Sequence, residues 1–133
     1  MTDKKNIISV RLAGQPVPQP RHRVYMRGGK LHTYQAPRSH PIHAYKDSLR
    51  LMARGEMGTR PPISAPLLVV AEFGCKNVST VGDIDNLLKA VLDSLNGIVW
   101  QDDRWVSRVV AEKRTADESF TRLTVRLTKG RLI

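Results

Sequence analysis

Between Ile84 and Leu95 the apolar side chains Ile84, Leu87, Leu88, Val91, Leu92 and Leu95 recur at intervals of three and four residues. A helix of 3.6 residues per turn gathers such positions into one stripe, and a strand scatters them over both faces. The spacing predicts an amphipathic helix with one buried face. Asn96-Gly97 ends it, Gly97 being suited to a left-handed cap. Carboxylates flank this helix: Asp83 and Asp85 at its start, Asp102 and Asp103 beyond its end. The chain has 12 Asp and Glu against 22 Lys and Arg. In so basic a chain, the places where acids survive are informative.

The rest of the chain reads as short elements around that helix. Residues 7–13 alternate, with Ile8, Val10 and Leu12 on one side, and predict a strand. Residues 14–20 contain Pro16, Pro18 and Pro20, so they form an extended connector. Residues 24–26 and 30–34, on either side of Gly28-Gly29, are expected to pair as a basic hairpin. A second helix is expected from a Ser39 cap, with Pro41 in its first turn, through Ile42, Tyr45, Leu49 and Met52 to about Gly55. Residues 67–73 form the most apolar run and predict a central strand. Residues 106–113 and 120–128 alternate as two more strands joined by a polar loop through Asp117. The order is that of an α+β fold: one domain over residues 1–133, with a small mixed β-sheet packed against two main helices.

A net charge of +10 favours a polyanionic partner, chiefly nucleic acid, over the plainer reading of an ordinary basic domain. Arg21, Arg23, Arg27 and Lys30 are candidate phosphate contacts, with a merely solvated arm as the alternative. No long basic amphipathic helix suggests a membrane surface. No run reaches the ~18 apolar residues of a spanning helix, so a cytoplasmic, soluble protein is expected. Cys75 is alone, which excludes a disulfide framework, and the four histidines lack zinc-ligand partners at ligand spacing. No phosphate-binding glycine motif is present, so no small-molecule cofactor is expected. Trp100 and Trp105 bracket the acidic pair. Packing is the simpler role for them, and stacking on an unpaired base the alternative.

Phosphodiester hydrolysis needs a cation that activates water and stabilises charge on the leaving oxygen. Magnesium takes hard oxygen ligands, commonly one or two carboxylates with water and phosphate. Asp83 and Asp85, two apart in an extended segment, can point to one side, and a carboxylate from the later loop can complete the set. The competing reading is structural. Aspartates at a helix start cap orphan N–H groups, worth roughly 0.5–2 kcal/mol, and Asp102-Asp103 can form an ordinary turn. Lys89 lies about 40° from Asp85 on a helical wheel. It serves either as an i,i+4 partner of Asp85 or Asp93, worth about 0.2–0.5 kcal/mol, or as an ammonium near the scissile phosphate.

The run Asp83-Ile84-Asp85-Asn86-Leu87-Leu88-Lys89-Ala90-Val91-Leu92-Asp93-Ser94-Leu95-Asn96-Gly97, followed by Gln101-Asp102-Asp103, resembles the signature of the RusA-type endodeoxyribonucleases, which resolve Holliday junctions. The segment from Gly14 through Pro16, Pro18 and Arg21 to Arg23 resembles the opening motif of that family. The similarity runs from about Val10 to about Arg126. It implies metal-binding and catalytic carboxylates at Asp83, Asp85 and Asp103, a functional Lys89, and Mg²⁺ as the metal with Mn²⁺ as the alternative. It also implies a homodimer that cuts two strands of a four-way or branched DNA. A small core gives a second reason for a subunit interface, with residues 45–52, 67–73 and 100–105 as candidates. The chain departs from the pattern at Val81-Gly82, where many relatives carry a basic residue or proline. Lys76 is the candidate for the missing positive charge. The alternative function is a non-catalytic DNA-binding protein that keeps the fold.

Overall fold

Alternating burial along one long strand organises the molecule. In a computed structural model, which describes residues 6–20, 24–33 and 35–128, strand β4 (Leu67–Cys75) buries Leu67, Val69, Ala71, Phe73 and Cys75 on one face. Period-two alternation turns these side chains toward a helical layer. Strands β1 (Ile8–Ala13) and β6 (Phe120–Leu127) add Ile8, Val10, Leu123 and Val125 to the same face. Against it lie helix α1 (Pro41–Met57), through Ile42, Tyr45 and Leu49, and helix α2 (Ile84–Leu95), through Leu87, Val91 and Leu95. Each aliphatic side chain so buried contributes roughly 1.5–3 kcal/mol. Among the described residues, no helix is long and apolar enough to cross a membrane.

The main sheet runs β1-β6-β4-β5, where β5 is Val106–Thr115. β6 is antiparallel to both its neighbours, and β4 and β5 are parallel. A parallel pair needs a long crossover, and here α2 supplies it. The two last strands are therefore consecutive in sequence but not adjacent in space, since β4 lies between them. The fold is α+β, with a mixed four-stranded sheet, two helices on one face and a separate hairpin. That hairpin pairs β2 (Val24–Arg27) with β3 (Lys30–Thr33). Gly28 and Gly29 turn it at φ of +60° and +76°, the conformation a tight two-residue hairpin turn requires. Tyr34, expected at the end of β3, lies outside the described residues.

Helix α1 departs from expectation at both ends. Its cap is His40 rather than Ser39: the His40 Nδ1 accepts the Ile42 N–H at 3.0 Å. It runs past Gly55 to Met57 because Ala53 and Met57 are both buried and hold the last turn against the core. Trp100 is completely buried, and Trp105 is half-buried.

Among the described residues, no helix covers the second face of the sheet, which carries Arg11, Arg108, Arg114 and Arg122, all exposed. Gly74 leaves room there for the Phe120 ring, which any side chain at 74 would overlap. The guanidinium groups of Arg11, Arg114 and Arg122 stand 4.6, 5.3 and 5.5 Å from that ring, within cation–π range. Glu72 pairs with Arg114 and Arg122 at 3.4 and 3.6 Å.

Helix α1 is tied to β6 by a buried hydrogen bond of 2.7 Å between the Tyr45 and Thr121 hydroxyls. Burial pushes the Tyr45 phenol up from 10.0 to about 12, against the opposing effect of the Thr121 bond. The unfolded chain then releases this proton near pH 10 while the folded protein keeps it, so stability falls as pH rises from 10 toward 12. Tyr45→Phe should cost about 1 kcal/mol at pH 8. The gap between wild type and variant in urea unfolding should narrow by pH 11.

Candidate active site

Asp83 is delivered to its place by a loop fastened from below. Residues 76–82, between β4 and α2, have no regular structure. Asn77 starts the loop as a turn, its Oδ1 accepting from the Ser79 N–H and Oγ–H at 2.9 and 2.7 Å. Val81 is buried. Lys113 of β5 faces the helical layer and donates from Nζ to the Val78 carbonyl at 2.9 Å and the Gly82 carbonyl at 2.8 Å. Charge-assisted bonds to two carbonyls of one loop fix its course up to the residue before Asp83.

A second segment braces the same point. Gly82 has φ +113°, and a Cβ there would stand 2.8 Å from Cγ of Pro18. The Gln19 N–H donates to the Asn86 carbonyl at 2.9 Å. The proline-rich connector is thus laid across the first turn of α2. The cleft between them is about 460 Å³, lined by Pro18, Gln19, Pro20, His40, Gly82, Asp83 and Asn86.

Asp83 occupies the N-cap position of α2 with extended backbone (φ −73°, ψ 142°), yet its side chain makes no capping hydrogen bond. The capping role open to this residue on sequence grounds is therefore not the one adopted. Asp85 accepts from the Asn86 N–H through Oδ1 at 3.0 Å. Both carboxylates are exposed and sit at the positive end of the helix dipole. Gln19 Oε1, in the wall of the same cleft, is buried without a hydrogen-bond partner.

The other sequence-selected residues fall elsewhere. Asp103 lies past the far end of α2, and its Oδ1 accepts from the Trp100 indole N–H at 2.8 Å. Asp102 caps the short 3₁₀ turn Asp103–Trp105 by accepting from the Arg104 N–H at 3.0 Å. Asp83 and Asp85 stand at the start of a helix of 12 residues, about 18 Å long, and Asp103 follows beyond its end. Among the described residues, no three His, Cys, Asp or Glu come together closely enough to hold a metal ion. The three carboxylates expected to form one site are not assembled within a single chain.

Lys89 pairs with Asp93 at 3.9 Å, one turn farther from the cleft, and Lys46 approaches the same carboxylate at 3.8 Å. Burial lowers the Lys46 pKa and Asp93 opposes the shift. Arg27 and Lys30 stand on the hairpin, and Lys76 is exposed where the loop leaves β4. Arg21 and Arg23 lie outside the described residues. Sequence reasoning missed Lys113, Gln19 and His40. Lys113 alone carried a signal: it follows Ala111 at period two on the core side of β5, an unusual place for an ammonium.

Lys113→Met keeps the aliphatic stem but removes the donor from two carbonyls. The fold should survive, with amide exchange in residues 76–82 accelerated by about tenfold or more, from the loss of roughly 1.5–3 kcal/mol. Unchanged exchange in that loop would show that Lys113 does not hold it.

The model of the family described as endodeoxyribonuclease RusA matches residues 13–128 of this chain. The chain is also similar to the uncharacterized protein YqaN of Bacillus subtilis (strain 168). The two are 27% identical over 129 residues, covering 85% of this chain and 91% of that protein.

Proposed function

This chain belongs to the endodeoxyribonuclease RusA family, and we propose that it is a divalent-metal-dependent nuclease cutting four-way (Holliday) or otherwise branched DNA as a symmetric dimer. Its work would lie in DNA recombination and repair in the cytoplasm. The observation that carries this reading is the pair of exposed carboxylates, Asp83 and Asp85, braced by two segments on a protein of net charge +10. Acids on such a surface repel phosphate unless a cation stands between them. A protein that only bound DNA would do better without them.

The donor set suits Mg²⁺, with Mn²⁺ as the alternative: hard carboxylate oxygens beside a buried Gln19 Oε1 that lacks a partner. Asp83 and Asp85 would hold the ion, which when bound supplies an activated water and charge stabilisation. Arg27, Lys30 and Lys76, with Arg21 and Arg23, would neutralise phosphates along the approach. Lys89 would stabilise charge at the scissile phosphate once released from Asp93.

A dimer accounts for the remote Asp103. The apolar residues Ile84, Leu88 and Leu92 leave a partly open stripe beside the buried one on α2. If that stripe packs on the same helix of a second copy across a twofold axis perpendicular to α2, the helices run antiparallel. Each N-terminus then meets the other's far end, and Asp103 of the partner subunit joins Asp83 and Asp85. Two composite sites result, one for each strand to be cut.

Wild type should place paired nicks in a labelled four-way junction in magnesium. Asp83→Asn should lower cleavage by on the order of 10²-fold or more while junction binding persists or tightens. Asp83→Asn and Asp103→Asn homodimers should each be inactive. Mixed, they should regain a single nick, because one composite site of the heterodimer is intact. Failure of the mixture to cut would refute the shared site. Binding without any cleavage by the wild type would favour a non-catalytic branched-DNA-binding protein.

A further inference from the structure

The β2–β3 hairpin is the least explained part of the fold. All eight of its strand residues are exposed, Leu31 at 72% and Met26 at 64%. A lone two-stranded hairpin is marginal in water, so this one has surface to spare for a partner. Its register sorts the side chains. Tyr25 faces His32 and Arg27 faces Lys30 on one side, while Val24 faces Thr33 and Met26 faces Leu31 on the other. The Tyr25 and His32 rings are stacked, with centroids 5.4 Å apart and planes 20° from parallel.

Two features identify the occupant. Arg27 and Lys30 are directly opposite each other, a destabilising like-charge pair, and residues 24–33 contain no acid. Such a pair is tolerated where an anion sits over it. Beside it lies an open aromatic surface, and behind it an apolar face of the kind that wedges between base steps. Phosphate with an adjoining flat, apolar ring is the chemistry of a nucleotide whose base has left the stack. Chain topology supplies the place. Pro20 before the hairpin and His40 after it both line the Asp83 cleft, so the arm leaves and returns at the candidate active site.

We propose that this hairpin is a branch-sensing arm, in which Tyr25, stacked on His32, receives an unpaired base at the crossover of branched DNA while Arg27 and Lys30 hold the neighbouring phosphates. This rests on the nuclease reading of the Asp83 site and explains how that site would be reserved for branched substrates. Duplex DNA offers the phosphates but no free base. A stacked base adds affinity that aromatic substitution removes.

The test measures binding of the full-length protein, without magnesium, to a four-way junction and to a duplex of the same sequence. Tyr25→Ala should lose about 5- to 150-fold in junction affinity, the range for one stacked base, with duplex affinity nearly unchanged. Tyr25→Phe should restore junction binding, and thermal unfolding should match wild type because the side chain is outside the core. Arg27→Ala should weaken both ligands and reduce the salt slope on duplex by about 0.9. Equal losses on junction and duplex, or an unchanged ratio in Tyr25→Ala, would overturn the proposal. The two readings fail separately: wild type that prefers junctions through Tyr25 yet never cuts them in magnesium would refute the nuclease, not the arm.

Discussion

The seating of α2 on the sheet is the constraint on which the site depends. Leu87, Val91 and Leu95 have no solvent exposure, so the helix can neither turn about its axis nor slide without opening the core. Its role as the crossover between parallel β4 and β5 pins both ends as well. A rod held this way converts hydrophobic packing into the position of charge. Asp83 and Asp85 are set at one end and Asp103 follows the other, and among the described residues the three do not gather into a metal-holding group. The distance that keeps one chain from assembling three carboxylates is also what an antiparallel pair of such rods would close.

Much of this was legible from periodicity. The bounds of α2 and the central place of β4 follow from the spacing of apolar residues, because burial leaves a repeating imprint. The cap of α1 did not follow: His40 displaces Ser39 through a ring nitrogen that reaches the Ile42 N–H, and a local propensity ranking does not anticipate an imidazole. Lys89 had two acidic partners at helical spacing, and the choice of Asp93 belongs to the packed structure, where Lys46 of α1 shares it. Lys113 is the instructive miss. Its two acceptors lie more than 30 residues away in sequence, so no local pattern could show that the loop before Asp83 hangs from it.

Charge is distributed as unevenly as its excess suggests. The open sheet face carries arginines gathered over Phe120, with Glu72 answering two of them. At the Asp83 cleft, exposed acids stand on a basic molecule. Both arrangements are built on backbone close approach, Gly74 under Phe120 and Gly82 against Pro18. At each of these glycines a methyl group would displace the neighbour that completes the local surface.

That Pro20 and His40 border one cleft has a consequence for how such proteins diversify. Everything between them is a closed excursion whose ends are already brought together by the body of the protein. Lengthening a loop with fixed ends is cheap, about 0.6 kcal/mol for each doubling. The segment can therefore be extended, shortened or rewritten over evolutionary time while the carboxylates stay where α2 holds them.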